Sequence, residues 1–237
     1  MTNVEPGHAL TLYIWPHSWN LPSFDVDSLA CVLYLQIYFS NDYELVESTD
    51  PDLSSACVLP FLRHGNEEIV TTRGIVKYLE NLRKRSNDQE REKLNRAKMT
   101  AWESYANIHL KDVVNSVLYA DPDNYREGIH AILSTKLPIP TRYYLSRRLR
   151  EQVRESLEPA GLWTSRADED DDAPKRPFDK VKTIVDDKDK IFDEAFTKEK
   201  LLDKAREIFD VLNPLLGHAS FFFESKEPSS LDCQIAS

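Results

Sequence analysis

Two hydroxyl side chains stand at positions where a fold of strands and helices can use them for chemistry. Ser18 follows the predicted first strand, and Thr72 can cap the last helix of the N-terminal region. A reactive or thiolate-stabilising hydroxyl needs an activating neighbour. Ser18 lies between His17 and Trp19, and nothing around it marks it as activated, while Thr72 is followed by Arg73. We therefore favour a turn serine and a structural helix cap, and we predict no catalytic residue.

Residue types that hold metals or cofactors lack the spacing that such sites require. The cysteines Cys31, Cys57 and Cys233 are odd in number and form no C-x-x-C pattern, which argues against a zinc site or a disulfide framework. The six histidines have no ligand spacing, and the six glycines form no phosphate-binding loop. We expect no metal and no cofactor, and a reducing compartment fits best.

Charge and hydropathy argue against nucleic-acid-binding, secreted and membrane-spanning proteins. Thirty Lys and Arg residues against forty Asp and Glu residues give a net charge of -10, which argues against nucleic acid as the main partner. The N-terminal residues show no secretory signal pattern. The longest nearly apolar run, 29–39, is far shorter than the roughly 18 to 20 residues of a transmembrane helix. We expect no membrane-spanning helix and two globular domains.

Residues 1–85 carry strand and helix patterns in the order strand, helix, strand, loop, strand, strand, helix. This order predicts a thioredoxin-like N-terminal domain. The expected strands are Leu10–Trp15, Tyr43–Glu47, Val58–Leu62 and Glu68–Val70.

Pro60 interrupts the third predicted strand. Proline cannot donate to a central strand ladder, so it is tolerated there only at an edge or at a special bond. Here a hairpin and a capped helix follow it, which is the arrangement that holds a cis proline beside the ligand-binding edge of thioredoxin-like domains. Only about 5 to 6% of X-Pro bonds in folded proteins are cis, so the residue alone does not settle its isomer. We assign Pro60 a structural role.

Residues 88–237 carry helical patterns and predict an all-α second domain. One long helix is expected from about Asp88 to Tyr119. Thr141 should begin a basic helix, whose default is a solvated face and whose arginines are Arg142, Arg147, Arg148, Arg150 and Arg154. Ser229 and Asp232 form a capping-box pattern before the last helix. The acidic segment 158–178 is predicted to be a flexible surface loop. Helical patterns return from about Phe178 to Leu212, and the core positions expected there are Ile184, Phe192, Phe196, Leu201, Leu202, Ile208, Phe209 and Leu212.

Aromatic, proline and arginine clusters are the candidates for partner contacts. Each cluster also has a structural alternative. Trp15 and Trp19 can plug a domain interface, and the tyrosines can pack between domains. The arginines are expected by default to form a solvated helix face, and the less favoured alternative is that they bind acidic lipid or an acidic partner. The candidates are Trp15, Trp19, Pro138, Pro140, Tyr143, Tyr144, Arg147 and Arg148.

Several separated phrases resemble the metaxin family and its fungal counterpart in the mitochondrial sorting and assembly machinery. LYIWPHSWNLPSFDVDSLACVLYLQ at 12–36 resembles a family signature in which a strand ending in Trp leads to LPS-x-D-x-x-SLA. FSNDYELVESTDPDLSSACVLPFL at 39–62 resembles the fungal version. DNYREGIHAILSTKLPIPTRYYLSRRLREQ at 123–152 resembles the Asn-Tyr and Ile-Pro stretch of the family's helical domain.

The resemblance implies a non-catalytic, glutathione-transferase-like subunit on the cytosolic face of the mitochondrial outer membrane. Such subunits work with a membrane-embedded β-barrel protein and a second metaxin-like subunit, and they support the insertion and release of β-barrel precursors. The membrane association then runs through partners. Two alternatives stay open: a divergent glutathione transferase, motivated by Pro60, Thr72 and the capping box, and a transferase-like adaptor in a translation complex.

Overall fold

The computed structural model describes residues 10–40, 42–83, 91–139, 141–163, 185–225 and 227–237. Contacts divide the chain into two compact units. Unit 1 comprises Met1–Asn107 with His218–Ser237, and unit 2 comprises Ile108–Gly217.

Unit 1 contains a mixed sheet of four strands in the order β2-β1-β3-β4. Strand β1 is parallel to β2 and antiparallel to β3, and β3 and β4 form an antiparallel hairpin. The strands are β1 (Leu10–Ile14), β2 (Tyr43–Glu47), β3 (Phe61–His64) and β4 (Glu67–Val70). This is the predicted thioredoxin-like arrangement, and the predicted fold class is confirmed.

Helices α1 (Val26–Tyr38) and α2 (Thr72–Arg83) cover the core of this sheet. Asp25 begins α1, and its carboxylate accepts a hydrogen bond from the Ser28 backbone N–H at 2.8 Å. Alternate β1 side chains point inward onto these helices. The most deeply buried members of this core are Leu12, Leu35, Leu62, Ile75 and Leu79.

The third strand begins three residues later than predicted. The Leu59-Pro60 peptide bond is cis, and strand pairing starts at Phe61. The backbone of Val58 is instead satisfied by Ser54: its N–H donates to Ser54 Oγ at 2.9 Å, and its carbonyl accepts from the same hydroxyl at 2.8 Å. The expectation that the strand begins at Val58 was therefore wrong, because the Ser54 hydroxyl bonds to the backbone groups of Val58 that would otherwise pair with a neighbouring strand.

The C-terminal segment belongs to unit 1, where helix α8 (Ser230–Ala236) packs against α1. The predicted capping box is confirmed: Asp232 Oδ2 accepts from the Ser229 N–H at 2.7 Å, and Ser229 Oγ accepts from the Asp232 N–H at 3.3 Å. Asp232 Oδ1 also accepts from the Phe222 N–H at 3.1 Å. One carboxylate thus fixes both the helix start and the preceding chain.

Everything after α2 in the described chain is helical or irregular. The predicted long helix is observed as α3 (Arg91–Asn115), and wider π-helical turns occur at Ser116–Ala120 and Tyr125–His130. The other helices are α4 (Pro122–Asn124), α5 (Ala131–Lys136), α6 (Thr141–Leu157) and α7 (Val185–Leu216). Among the described residues, none of these helices has the length and hydropathy needed to cross a membrane.

The expected core face of α7 is only partly correct. Ile208 and Leu212 are buried, as predicted, but Phe196, Leu202 and Phe209 are exposed. On a helix these three side chains point away from the direction of Ile208 and Leu212, so the predicted positions do not share one buried face. Leu201 is half-buried, and Ile184 and the side chain of Phe192 lie outside what the structure describes.

The division into units differs from the predicted boundary between residues 85 and 88. The strand-containing part does end at Arg83, but unit 1 extends to Asn107 and takes in the C-terminal helix. The change in composition correctly indicated where strands give way to helices. The packing of α8 on α1, which the composition does not show, brings the C-terminal residues into unit 1. Of the predicted acidic loop, residues 158–163 are described, with Leu162 buried, and residues 164–178 lie outside the described residues.

Candidate functional site

The loops after β1 and before β3 lie at the same end of the sheet. Tyr13 pairs with Phe61 in the antiparallel register of these strands, so the chain leaves β1 where it enters β3. The cis Pro60 stands in the second loop. This is the edge where a thioredoxin-like fold presents a ligand site, and we describe its side chains first.

Trp15 is a core residue of unit 1. Only 4% of it is exposed, its ring centre lies 5.7 Å from that of Phe24, and its backbone N–H donates to Ser28 Oγ at 3.4 Å. This burial agrees with the structural alternative given for Trp15, a packed apolar residue, and removes it from the exposed candidate contacts. Its large apolar surface is used to close the sheet end.

Trp19 is presented to solvent by a tight turn. The N–H and carbonyl groups of Ser18 and Leu21 bond to each other at 3.3 and 2.8 Å. Trp19 and Asn20 have φ values of 52° and 61°, a left-handed pair typical of a type I′ turn and unusual for a bulky aromatic residue. Trp19 is 50% exposed and Leu21 is 45% exposed. The turn thus holds two apolar side chains outward, and Trp19 stays a candidate contact.

The position of Ser18 does not provide an evident base. Its neighbour His17 directs Nδ1 at Glu47, at 2.7 Å from Oε1 and 2.9 Å from Oε2. The backbone of Ser18 closes the Trp19 turn. The structure therefore fits the predicted turn serine.

The start of α2 is capped by Thr71 rather than Thr72. Thr71 Oγ1 accepts a hydrogen bond from the Gly74 N–H at 3.2 Å, and Thr72 is the first helical residue. The predicted cap was one position late. Two adjacent threonines carry equivalent hydroxyl groups, and the backbone conformation determines which of them caps the helix. An anion bound at the start of α2 would accept from free backbone N–H groups there, and Thr71 already accepts the hydrogen bond of one of them, the Gly74 N–H.

The thiols do not assemble a reactive centre. Burial raises the pKa of the Cys31 thiol well above its ordinary value, and the carboxylates of Asp27 and Asp25 add to this effect. Burial and Asp232 raise the pKa of Cys233 to about 11. Cys57 is exposed. Within the described part of the chain, no cluster of His, Cys, Asp and Glu has a geometry suited to a metal ion.

A ring-stacked cation organises unit 2. Arg150 is only 6% exposed, its Nε donates to the Tyr119 carbonyl at 3.2 Å, and its guanidinium lies 4.2 Å from the Tyr125 ring centre. The Trp163 ring centre lies 5.6 Å from the same group. The expectation that the arginines of α6 form one solvated face was wrong for Arg150, because its helical position points into the unit.

Arg147 and Arg148 of α6 differ from Arg150 in their exposure to solvent. Arg147 is exposed, Arg148 is half-buried, and Tyr144 is 53% exposed. Pro138 is exposed, whereas Pro140 and the side chain of Tyr143 lie outside what the structure describes. Ile139, which the sequence did not single out, is 67% exposed. Its only sequence signal is an apolar residue between two prolines.

Comparison with known proteins identifies the family. Residues 28–150 match the model of Tom37, described as an outer mitochondrial membrane transport complex protein. This match covers just over half of the chain. The chain belongs to the Tom37 family.

Individual Tom37-family relatives agree with this assignment. Metaxin-1 of Mus musculus is 25% identical over 230 residues, which are 96% of this chain and 63% of that protein. Metaxin-1 of Homo sapiens is 27% identical over 230 residues, or 96% of this chain and 43% of that protein. The chain thus spans less than two thirds of the length of these relatives, and it is a metaxin-like protein as its sequence phrases predicted.

Solved structures show the fold of this Tom37-family chain. The β-etherase LigF from Sphingobium sp. strain SYK-6 superimposes with a TM-score of 0.56 at 15% identity, covering 96% of this chain and 81% of that one. A glutathione S-transferase of Ceriporiopsis subvermispora, solved with glutathione, gives 0.55 at 12% identity, covering 96% and 84%. At such identities the likeness concerns architecture, which is glutathione-transferase-like.

Proposed function

We propose that this chain is a non-catalytic subunit of the protein transport and sorting complex of the mitochondrial outer membrane, positioned on the cytosolic face. It supports β-barrel precursor insertion and release through contacts with a membrane-embedded barrel subunit and a second metaxin-like subunit. The observation that carries this proposal is membership of a family described as an outer mitochondrial membrane transport complex protein.

The sheet end supports a role by contact rather than by chemistry. His17 is paired with Glu47, and Thr71 takes the Gly74 N–H at the start of α2. Trp19 and Leu21 occupy the loop after β1 with outward-facing apolar side chains. A large exposed aromatic residue is a typical anchor of a protein interface. The proposed use of this edge is therefore to hold a partner protein.

The test is isolation of the tagged chain from mitochondria in mild detergent. The proposal expects the β-barrel assembly subunit and a second metaxin-like subunit to be recovered in stoichiometric amounts. Recovery of translation factors instead would support the adaptor alternative and contradict the proposal. Recovery of the tagged chain alone, after chemical crosslinking of intact mitochondria, would also contradict it.

A matched pair of variants locates the contact. Trp19→Ser removes an aromatic residue that is 50% exposed, and Phe209→Ser removes one that is 51% exposed on α7. We expect Trp19→Ser to reduce recovery of the partners about tenfold or more and Phe209→Ser to leave it unchanged. Equal recovery with both variants would remove Trp19 from the interface.

A further inference from the structure

The connection from α5 into α6 concentrates positive charge in an acidic chain. Residues 136–150 contain five basic residues, Lys136, Arg142, Arg147, Arg148 and Arg150, and no acidic residue, whereas the whole chain carries a net charge of -10. Arg150 is buried, and Arg142 is half-buried with its Nη2 bound to the Leu137 carbonyl. Lys136 and Arg147 are exposed and Arg148 is half-buried, so these three cations supply the surface charge of the segment. The local charge of this segment is thus opposite to that of the protein.

The same segment exposes two large apolar side chains. Ile139 is 67% exposed in the connection, and Tyr144 is 53% exposed in the first turn of α6. Tyr144, Arg147 and Arg148 stand at i, i+3 and i+4 and therefore share one face of the helix. Leu145 and Arg150 are buried, which fixes that face as the outer one. Glu151 ends the basic stretch on this side.

Arg142, near the start of α6, donates hydrogen bonds to two carbonyls that follow α5. The Arg142 N–H donates to the Pro138 carbonyl at 3.1 Å, and its Nη2 donates to the Leu137 carbonyl at 3.4 Å. Leu137 is only 2% exposed and anchors the segment. Leu137 and Pro138 are thus bonded to the start of α6, which lowers the entropy cost of placing the adjacent Ile139 side chain in a membrane interface.

We propose that this surface, defined by Lys136, Ile139, Tyr144, Arg147 and Arg148, docks on the headgroups of an anionic phospholipid membrane. Arginine and lysine are attracted to the negative surface potential, while their apolar stems and the tyrosine ring suit the boundary between water and acyl chains. A few protruding side chains among cations can bind a bilayer without the broad complementary area of a protein interface. The inference stands independently of which proteins the chain binds.

Vesicle flotation tests the docking with the purified full chain. Vesicles of phosphatidylcholine with about one third phosphatidylserine should carry the protein to the top of a gradient at low salt, and pure phosphatidylcholine should not. Raising the salt should release it. Equal flotation with both vesicle types, or none with either, overturns the proposal.

Charge-matched variants assign the binding to this surface. Arg147→Gln should weaken binding to the anionic vesicles about fivefold, the contribution of one basic side chain, whereas Arg206→Gln on α7 makes the same change in net charge and should not. The double variant Ile139→Ser/Tyr144→Ser should weaken binding about tenfold, and Phe209→Ser should not. Equal effects of Arg147→Gln and Arg206→Gln contradict the assignment.

An acidic protein partner is the competing occupant, and it predicts a different result. The chain would then bind a polyglutamate peptide through Arg147 while failing to distinguish the two vesicle types. That outcome overturns the lipid assignment. Circular dichroism melting of each variant ensures that lost binding does not reflect an unfolded protein.

Discussion

Arg150 and Tyr125 stack within unit 2, with the guanidinium 4.2 Å from the ring centre. The Tyr125 hydroxyl in turn donates to the Ser146 carbonyl at 3.2 Å. These contacts tie the π-helical turn at Tyr125–His130 to helix α6. A buried cation therefore links two elements of unit 2, and its removal has a defined consequence.

Arg150→Ala should lower the free energy of unfolding by about 3 kcal/mol. The substitution removes the hydrogen bond from Arg150 Nε to the Tyr119 carbonyl and the stacking on Tyr125. Arg147→Ala on the same helix is the control and should change stability by less than about 0.5 kcal/mol, because Arg147 is exposed. Urea unfolding followed by circular dichroism measures both. Equal stability of the two variants would refute the role of Arg150.

Asp232→Ala should destabilise unit 1 by about 1 to 2 kcal/mol. The carboxylate accepts from the backbone of both Ser229 and Phe222, so its loss frees the start of α8 and the chain before it. Asp232→Asn should cost less, since an amide oxygen still accepts. Asp210→Ala, at an exposed position of α7, is the control. Thermal unfolding of the three variants gives the comparison. The expected destabilisation is largest for Asp232→Ala, smaller for Asp232→Asn and smallest for Asp210→Ala, and a different order would argue against the capping box.

Thiol accessibility should distinguish Cys57 from the two buried cysteines. Cys57 is exposed, whereas Cys31 and Cys233 are buried. A disulfide reagent at about pH 8 should therefore modify one thiol in the native protein and three after unfolding. Cys57→Ala should abolish the native reaction. Rapid modification of Cys31 in the folded protein would contradict the packing described for α1.

Stability should fall as the pH rises above the ordinary range of a thiol. Burial raises the pKa of folded Cys233 from 9.0 to about 11, so the stabilisation is complete below about pH 9 and is lost towards pH 11. The urea midpoint should drop between about pH 9 and pH 11, and Cys233→Ala should reduce that drop. Cys57→Ala serves as the control and should leave it unchanged. The same drop in all three proteins would remove Cys233 as a cause.

The elements with strong local signals could be predicted from the sequence. Tyr43–Glu47 was predicted with its observed bounds, and the Ser229 and Asp232 box was recognised because capping chemistry is local. The start of β3 and the cap of α2 could not be placed, because Ser54 and Thr71 act through backbone geometry that has no sequence pattern.

The surfaces were harder to predict than the fold. Trp15 and Trp19 are both tryptophans beside a proline-containing turn, yet one is buried and the other exposed. Arg147 and Arg150 are likewise three residues apart in one basic helix and have opposite environments. Residue type fixes what each side chain can contact, but the direction of a helix or turn, set by tertiary packing, decides whether it meets solvent or core.

We propose that this chain acts in outer-membrane transport through its surfaces and without chemistry at the sheet end. The most direct test of this proposal is the assembly of a radiolabelled β-barrel precursor in mitochondria depleted of the protein and supplied with the wild type or with Ser18→Ala. We predict that depletion slows assembly and that both proteins restore it equally, with no glutathione conjugation by either. Restoration by the wild type that fails with a folded Ser18→Ala protein, or normal assembly after depletion, would contradict the account.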